Sequence, residues 1–179
     1  MSSSNEVQNV MQSLSTKGFQ ARIYAYRNDI RQPLRFSRPN EDGALSQPDW
    51  LQAGGDSDSP LVWIDVLSKT STRIWVNITG RTHHGNMDRL GRSNNGFLGL
   101  YGIHSVTQPW KLEPLEWNGR EMVCHLRDHN GYRVGFSDKS TQVGGHKLFY
   151  LDAVNSEPCK FLISKVAIPG EEEGVSWVD

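Results

Sequence analysis

Only two cysteines, Cys124 and Cys159, occur in 179 residues. That excludes the disulfide framework of a small secreted scaffold and predicts reduced, largely buried thiols in a cytoplasmic protein. No stretch approaches the roughly 20 consecutive apolar residues of a membrane-spanning helix. The first 18 residues, MSSSNEVQNVMQSLSTKG, are polar and lack the apolar centre of a secretory signal. An excess of one charge is also missing: 19 Lys and Arg stand against 20 Asp and Glu, for a formal net charge of −1. Binders of nucleic acid or anionic membranes carry a basic surplus, so neither is expected as a partner. The catalytic signatures are absent too. There is no Gly-x-Ser-x-Gly elbow, no His-Glu-x-x-His, no P-loop and no dinucleotide fingerprint. The glycine-rich GFLGLYG at 96–102 is apolar with no lysine after it, and reads as a strand in close backbone approach. These absences predict a non-enzymatic protein without a cofactor.

What is there is strand signal. TRIWVNI (72–78) puts Ile74, Val76 and Ile78 on one face, and EMVCHLR (121–127) does the same with Met122, Cys124 and Leu126. This period-two alternation marks half-buried strands. ARIYAYR (21–27) places Ile23 and Ala25 together. Asn95-Gly96 and Asn130-Gly131 follow two of these segments, and Asn-Gly is a strong turn signal because both residues tolerate positive φ. The same order, short strand then turn then strand, recurs along the chain.

Three prolines reinforce the repetition. Pro60, Pro109 and Pro158 are each 49 residues apart (109 − 60 and 158 − 109). Three residues after each comes an apolar side chain: Trp63, Leu112 and Phe161. The spacing predicts that these three are equivalent and buried, in copies at 20–71, 72–119 and 120–168, each with about four strands. Such a unit cannot bury its apolar face alone, whereas three closing into a barrel can. On these residues the chain resembles the β-trefoil, an all-β fold of three four-strand repeats forming a barrel with a hairpin cap. The third copy, CHLRDHNGYRVGFSD followed by EPCKFLIS, resembles the fascin-type repeat, and residues 109–136 are faintly similar to amaranthin-type plant agglutinins. Flanking segments are assigned as a leader at 1–19 and an acidic tail at 169–179. In the leader, Val7, Val10, Met11 and Leu14 are at the spacing of a short helix.

The densest polar cluster is TGRTHHGNMDRLGRSNNG at 79–96. His83, His84 and Asp88 have metal-ligand chemistry, but adjacent histidines diverge, so no metal is assigned. Recognition of hydroxyl groups fits better: His83, His84, Asn86 and Asp88 offer directional hydrogen bonds, and Tyr101 offers a ring for the apolar face of a sugar. Trp117 and Asn118, on the link between the second and third copies, form a second candidate. The resulting expectation is a trefoil lectin whose partners are glycans, bound weakly through surface loops, with several sites or a homo-oligomer supplying avidity. The alternative is a protein-binding trefoil, either a protease inhibitor using the loop at 37–58 or a cytoskeletal binder.

Overall fold

The computed structural model of the protein describes residues 18–39, 41, 48–94, 96–117 and 120–166. The expected leader helix, the acidic tail and Asn118 lie outside the described residues. Within them the chain is all-β: thirteen strands and no helix. The strands are β1 (Phe19–Arg27), β2 (Ile30–Phe36), β3 (Leu51–Ala53), β4 (Val62–Lys69), β5 (Ile74–Arg81), β6 (Met87–Arg92) and β7 (Leu98–Tyr101). Then come β8 (Trp110–Trp117), β9 (Glu121–Arg127), β10 (Gly135–Val143), β11 (His146–Asp152), β12 (Glu157–Pro158) and β13 (Phe161–Lys165).

Six of them close into a barrel. β1 pairs with β4, β4 with β5, β5 with β8, β8 with β9, β9 with β13, and β13 with β1, all antiparallel. The period-two pattern read from the sequence fills its interior. Ile74, Val76 and Ile78 of β5 and Met122, Cys124 and Leu126 of β9 are buried, as are Ala21, Ile23 and Ala25 of β1. Closure leaves no free edge on the barrel. β1 begins at Phe19, which belongs to the core, so the barrel takes in the last residue of the segment read as leader.

The pairs β2–β3, β6–β7 and β10–β11 lie between the barrel strands in sequence and pair within themselves. They also join one another: β3 pairs with β11, Trp50 bridges Gly99, and Phe97 bridges Asp152. The glycines of the two Asn-Gly pairs take positive φ, +95° at Gly96 and +91° at Gly131, but Asn130 does not, and Asn95 lies outside the described residues.

The proline spacing does not give the equivalences: it puts Trp63 on the wrong face and Leu112 one inward pair away from the residue that matches Phe161. Leu112 and Phe161 are each 1 % exposed, but Trp63 is only half-buried. The inward residues of β4 are Val62 and Ile64, at 7 % and 0 %. Register sets the equivalences: Ala21 faces Val62, Val76 faces Trp110, and Cys124 faces Phe161. These inward residues stand two, one and three places beyond the prolines. Alternate side chains point to opposite faces, so with Val62 inward the next residue, Trp63, is outside, where its Nε1 donates to Asp65 Oδ1 at 2.6 Å.

Candidate functional site

The site is built around Trp50, which lies just before β3 and is held from both sides. The Ser37 N–H donates to the Trp50 carbonyl (2.8 Å), and the Trp50 N–H donates to the Ser37 hydroxyl (3.0 Å). Asp49 turns the chain into position with a φ of +69°, a left-handed conformation uncommon for a residue with a side chain. Its carboxylate fixes that bend: Oδ1 accepts the His83 backbone N–H at 2.9 Å, and Oδ2 meets His83 Nδ1 at 2.8 Å. On the other side the Leu100 N–H donates to the Asp49 carbonyl at 2.9 Å. A Cβ on Gly99 would come within 2.9 Å of Trp50 Cδ1, so a glycine here lets the indole lie against β7. The ring is 4 % exposed and meets Phe97 and Tyr150 edge-on, at 5.2 and 5.6 Å between centroids.

Beside Trp50 opens a cleft of about 520 Å³. Ser93 and Tyr101 of the β6–β7 hairpin line it with Trp50. The segment leading into β8 brings Thr107, Gln108 and the buried Trp110, and the turn after β9 brings Asp128 and His129. Trp110 is spoken for, its Nε1 donating to the Leu90 carbonyl at 2.9 Å. The Asp128 carboxylate accepts the N–H groups of Asn130 and Tyr132, both at 2.9 Å.

Three other lining groups are not so committed. Trp50 Nε1, Ser93 Oγ and Tyr101 Oη are buried polar atoms, and none completes a hydrogen bond. They lie near one another: burial pushes the Tyr101 phenol above its ordinary pKa, while hydrogen-bonding contacts with the Ser93 and Trp50 side chains, which stop short of complete hydrogen-bond geometry, pull it the other way. Leaving a buried donor or acceptor unsatisfied costs about 1–3 kcal/mol each. All three are neutral at pH 7, so this part of the cleft offers hydrogen bonding without a charge of its own, while Arg92 and Asp128 stand elsewhere in the lining. Among the described residues no group of three or more His, Cys, Asp or Glu side chains is placed to hold a metal ion.

The residues expected to bind do not gather in one place. Tyr101 lines this cleft. His83 lines a different one, of about 500 Å³, and is engaged by Asp49, which makes it a strut behind Trp50. Its ring also lies 3.9 Å from that of His84, centroid to centroid. Asn86 is exposed on the β5–β6 turn, its N–H donating to the Thr82 hydroxyl at 3.1 Å, and Asp88 of β6 pairs with Gly80 of β5. Trp117 is half-buried and packs against the core. Trp50 and Ser93 were missed as a pair because they are 43 positions apart (93 − 50). The one available signal was a tryptophan set in the polar stretch QPDWLQ. Comparison of the chain with protein-family models, with curated proteins and with solved structures finds no match in any of the three.

Proposed function

We propose that this protein is a non-catalytic glycan-binding protein of β-trefoil architecture, with its principal site in the Trp50–Tyr101 cleft. The architecture is supported by strand order. Each of three successive barrel pairs, β1 with β4, β5 with β8 and β9 with β13, encloses an antiparallel hairpin. Two free thiols, one buried and one half-buried, suit a reducing, cytoplasmic setting.

One observation carries the function: Trp50, Ser93 and Tyr101 line one cleft, and their neutral polar atoms lie just beneath its surface with each other nearby and no completed hydrogen bond. Such atoms are satisfied by a ligand that is itself rich in neutral donors and acceptors, and a sugar hydroxyl is both at once. Each bond exchanged with water gains only about 0.5–1.5 kcal/mol, so a single site binds weakly.

Tyr101→Phe removes the hydroxyl and keeps the ring. Because that hydroxyl completes no hydrogen bond within the protein, the thermal midpoint should hold. Glycan affinity should fall about three- to tenfold, the equivalent of one such bond. Glycan-array binding of parent and variant is the measurement, with His84→Ala/Asp88→Ala as the comparison. Loss in Tyr101→Phe with retention in the double variant centres the site on the cleft, and the reverse returns it to the His83–His84 turn. If the parent retains nothing on a broad array, the glycan reading fails and a protein ligand moves ahead.

A further inference from the structure

The outer wall of the barrel carries a row of cations. Trp75 of β5 pairs with Lys111 of β8, Lys111 pairs with Arg127 of β9, and Arg127 bridges Arg133. Cross-strand partners point to the same face, so these side chains stand side by side over three interstrand steps, about 14 Å at roughly 4.8 Å each. The row itself contains no carboxylate. The adjoining row contributes Glu113, which organises the cations. Its Oε1 accepts from Arg127 Nε and Nη2 at 3.0 and 2.7 Å, its Oε2 is 3.1 Å from Arg73 Nη1, and Arg133 Nη2 lies 3.8 Å from Oε1. Arg127 is fixed further by donating Nη1–H to the Gly131 carbonyl at 2.7 Å. Lys111, Arg73, Arg127 and Arg133 against Glu113 leave +3 (four minus one) at this end of the face, on a chain whose formal net charge is −1, with Glu116 and Glu121 standing toward the other end of β8 and β9.

We propose that this face of β5, β8 and β9 is a second binding surface, for a sulfated polysaccharide. The charge surplus calls for an anion, and the Arg133 guanidinium, the more open one at 43 % side-chain exposure and only 3.8 Å from Glu113, suits a tetrahedral oxyanion with the Lys111 ammonium nearby, while Arg127 is already committed to Glu113 and Gly131. The linear array suits a chain that repeats them. Single-stranded nucleic acid, which also repeats anions, needs open aromatic faces for its bases. Trp75, the aromatic residue of the row, has the Lys111 ammonium over its ring at 5.3 Å. The surface is contiguous with the cleft, since Lys111 Nζ donates at 3.0 Å to the carbonyl of His129, a cleft residue. The inference goes beyond the cleft reading and stands without it.

The test uses the full chain and a heparin-type sulfated oligosaccharide, titrated at low ionic strength. The same chain after chemical desulfation and a polyuridylate strand are the comparisons. The expected result is binding of the sulfated chain that weakens as salt rises, with none to the desulfated one. Lys111→Gln/Arg133→Gln should bind about tenfold more weakly, the equivalent of one charge-assisted hydrogen bond, at an unchanged thermal midpoint. Should the double variant fail to fold, Lys111→Gln alone is read the same way. Tyr101→Phe should leave this titration unchanged, which separates failure of this surface from failure of the cleft. No binding by the parent, equal binding by the charge variant, or tighter binding of polyuridylate than of the sulfated chain would overturn the proposal.

Discussion

Replacing Phe161 by Ala tests the interior of the barrel most directly. Phe161 is 1 % exposed, and its register partners are small: Ala25 on β1 and Cys124 on β9, both fully buried. The phenyl ring therefore fills space that its neighbours leave, and neither can extend into the void once it is gone. Loss of transfer free energy plus the cavity puts the cost at roughly 3–5 kcal/mol. With a denaturant slope of about 2 kcal/mol per molar urea, the unfolding midpoint should fall by roughly 2 M, measured by equilibrium fluorescence. Trp63→Phe is the paired experiment. Its indole lies on the outer wall and forfeits one hydrogen bond to Asp65, so the loss should be about 1 kcal/mol, or roughly 0.5 M. Equal losses at the two positions, or a drop below about 1 M for Phe161→Ala, would refute the assignment of inward and outward faces.

The remaining expectations concern pH, backbone crowding and thiol reactivity. Burial and the Arg133 charge hold the His125 imidazole below its ordinary pKa, against a hydrogen bond to the Cys159 backbone and the Glu113 charge. The unfolded chain then takes up a proton near pH 6.5 that the folded chain refuses. Stability present above that pH should fall as the pH drops below it, and His125→Gln should flatten the thermal midpoint between about pH 6.5 and 5. Glu113 adds a loss of the same sign at lower pH. Burial would raise its carboxyl, but the Arg127 hydrogen bond and the charges of Arg73 and Arg127 hold it below the ordinary carboxylate range. At Gly135 an added Cβ would lie 1.9 Å from the Glu157 carbonyl oxygen. Gly135→Ala should therefore cost about 1–3 kcal/mol in urea unfolding as β12 is displaced. Burial lifts the Cys124 thiol far above its ordinary range and the Cys159 thiol to about 12. A disulfide exchange reagent at pH 7.5 should label neither thiol quickly in the folded protein and both in urea.

How much of this was legible depended on whether the signal was local. The alternation in β5 and β9 placed six core residues correctly, because the side-chain period of a strand is a property of the strand alone. The Asn-Gly turns were readable for the same reason. The 49-residue proline spacing was not a register: a proline marks the approach to a strand without fixing how many residues follow before the first inward one. Pro60, Pro109 and Pro158 differ in that number, and Trp63 was turned to the wrong face as a result. The site was less legible still. A reading of one contiguous polar stretch found Tyr101 close by, and Trp50 stood out as a tryptophan in a polar loop, but nothing local joined the two: Trp50 reaches the cleft only because Asp49 is pinned by His83 and Gly99 admits the indole. The cationic row was hidden by arithmetic. A net charge near zero sums over the chain, whereas Lys111, Arg127 and Arg133 become neighbours only through cross-strand register.

The pairing of β1 with β13 has a mechanical consequence. Ala21 lies opposite Lys165 and Ala25 opposite Phe161, so the chain enters and leaves the barrel at the same end of one antiparallel ladder. Tension applied through residues 18 and 166 would load the hydrogen bonds of that ladder one at a time, in a peeling geometry, instead of shearing them together. A barrel without free edges would thus open at low force from the one seam where its first and last strands meet.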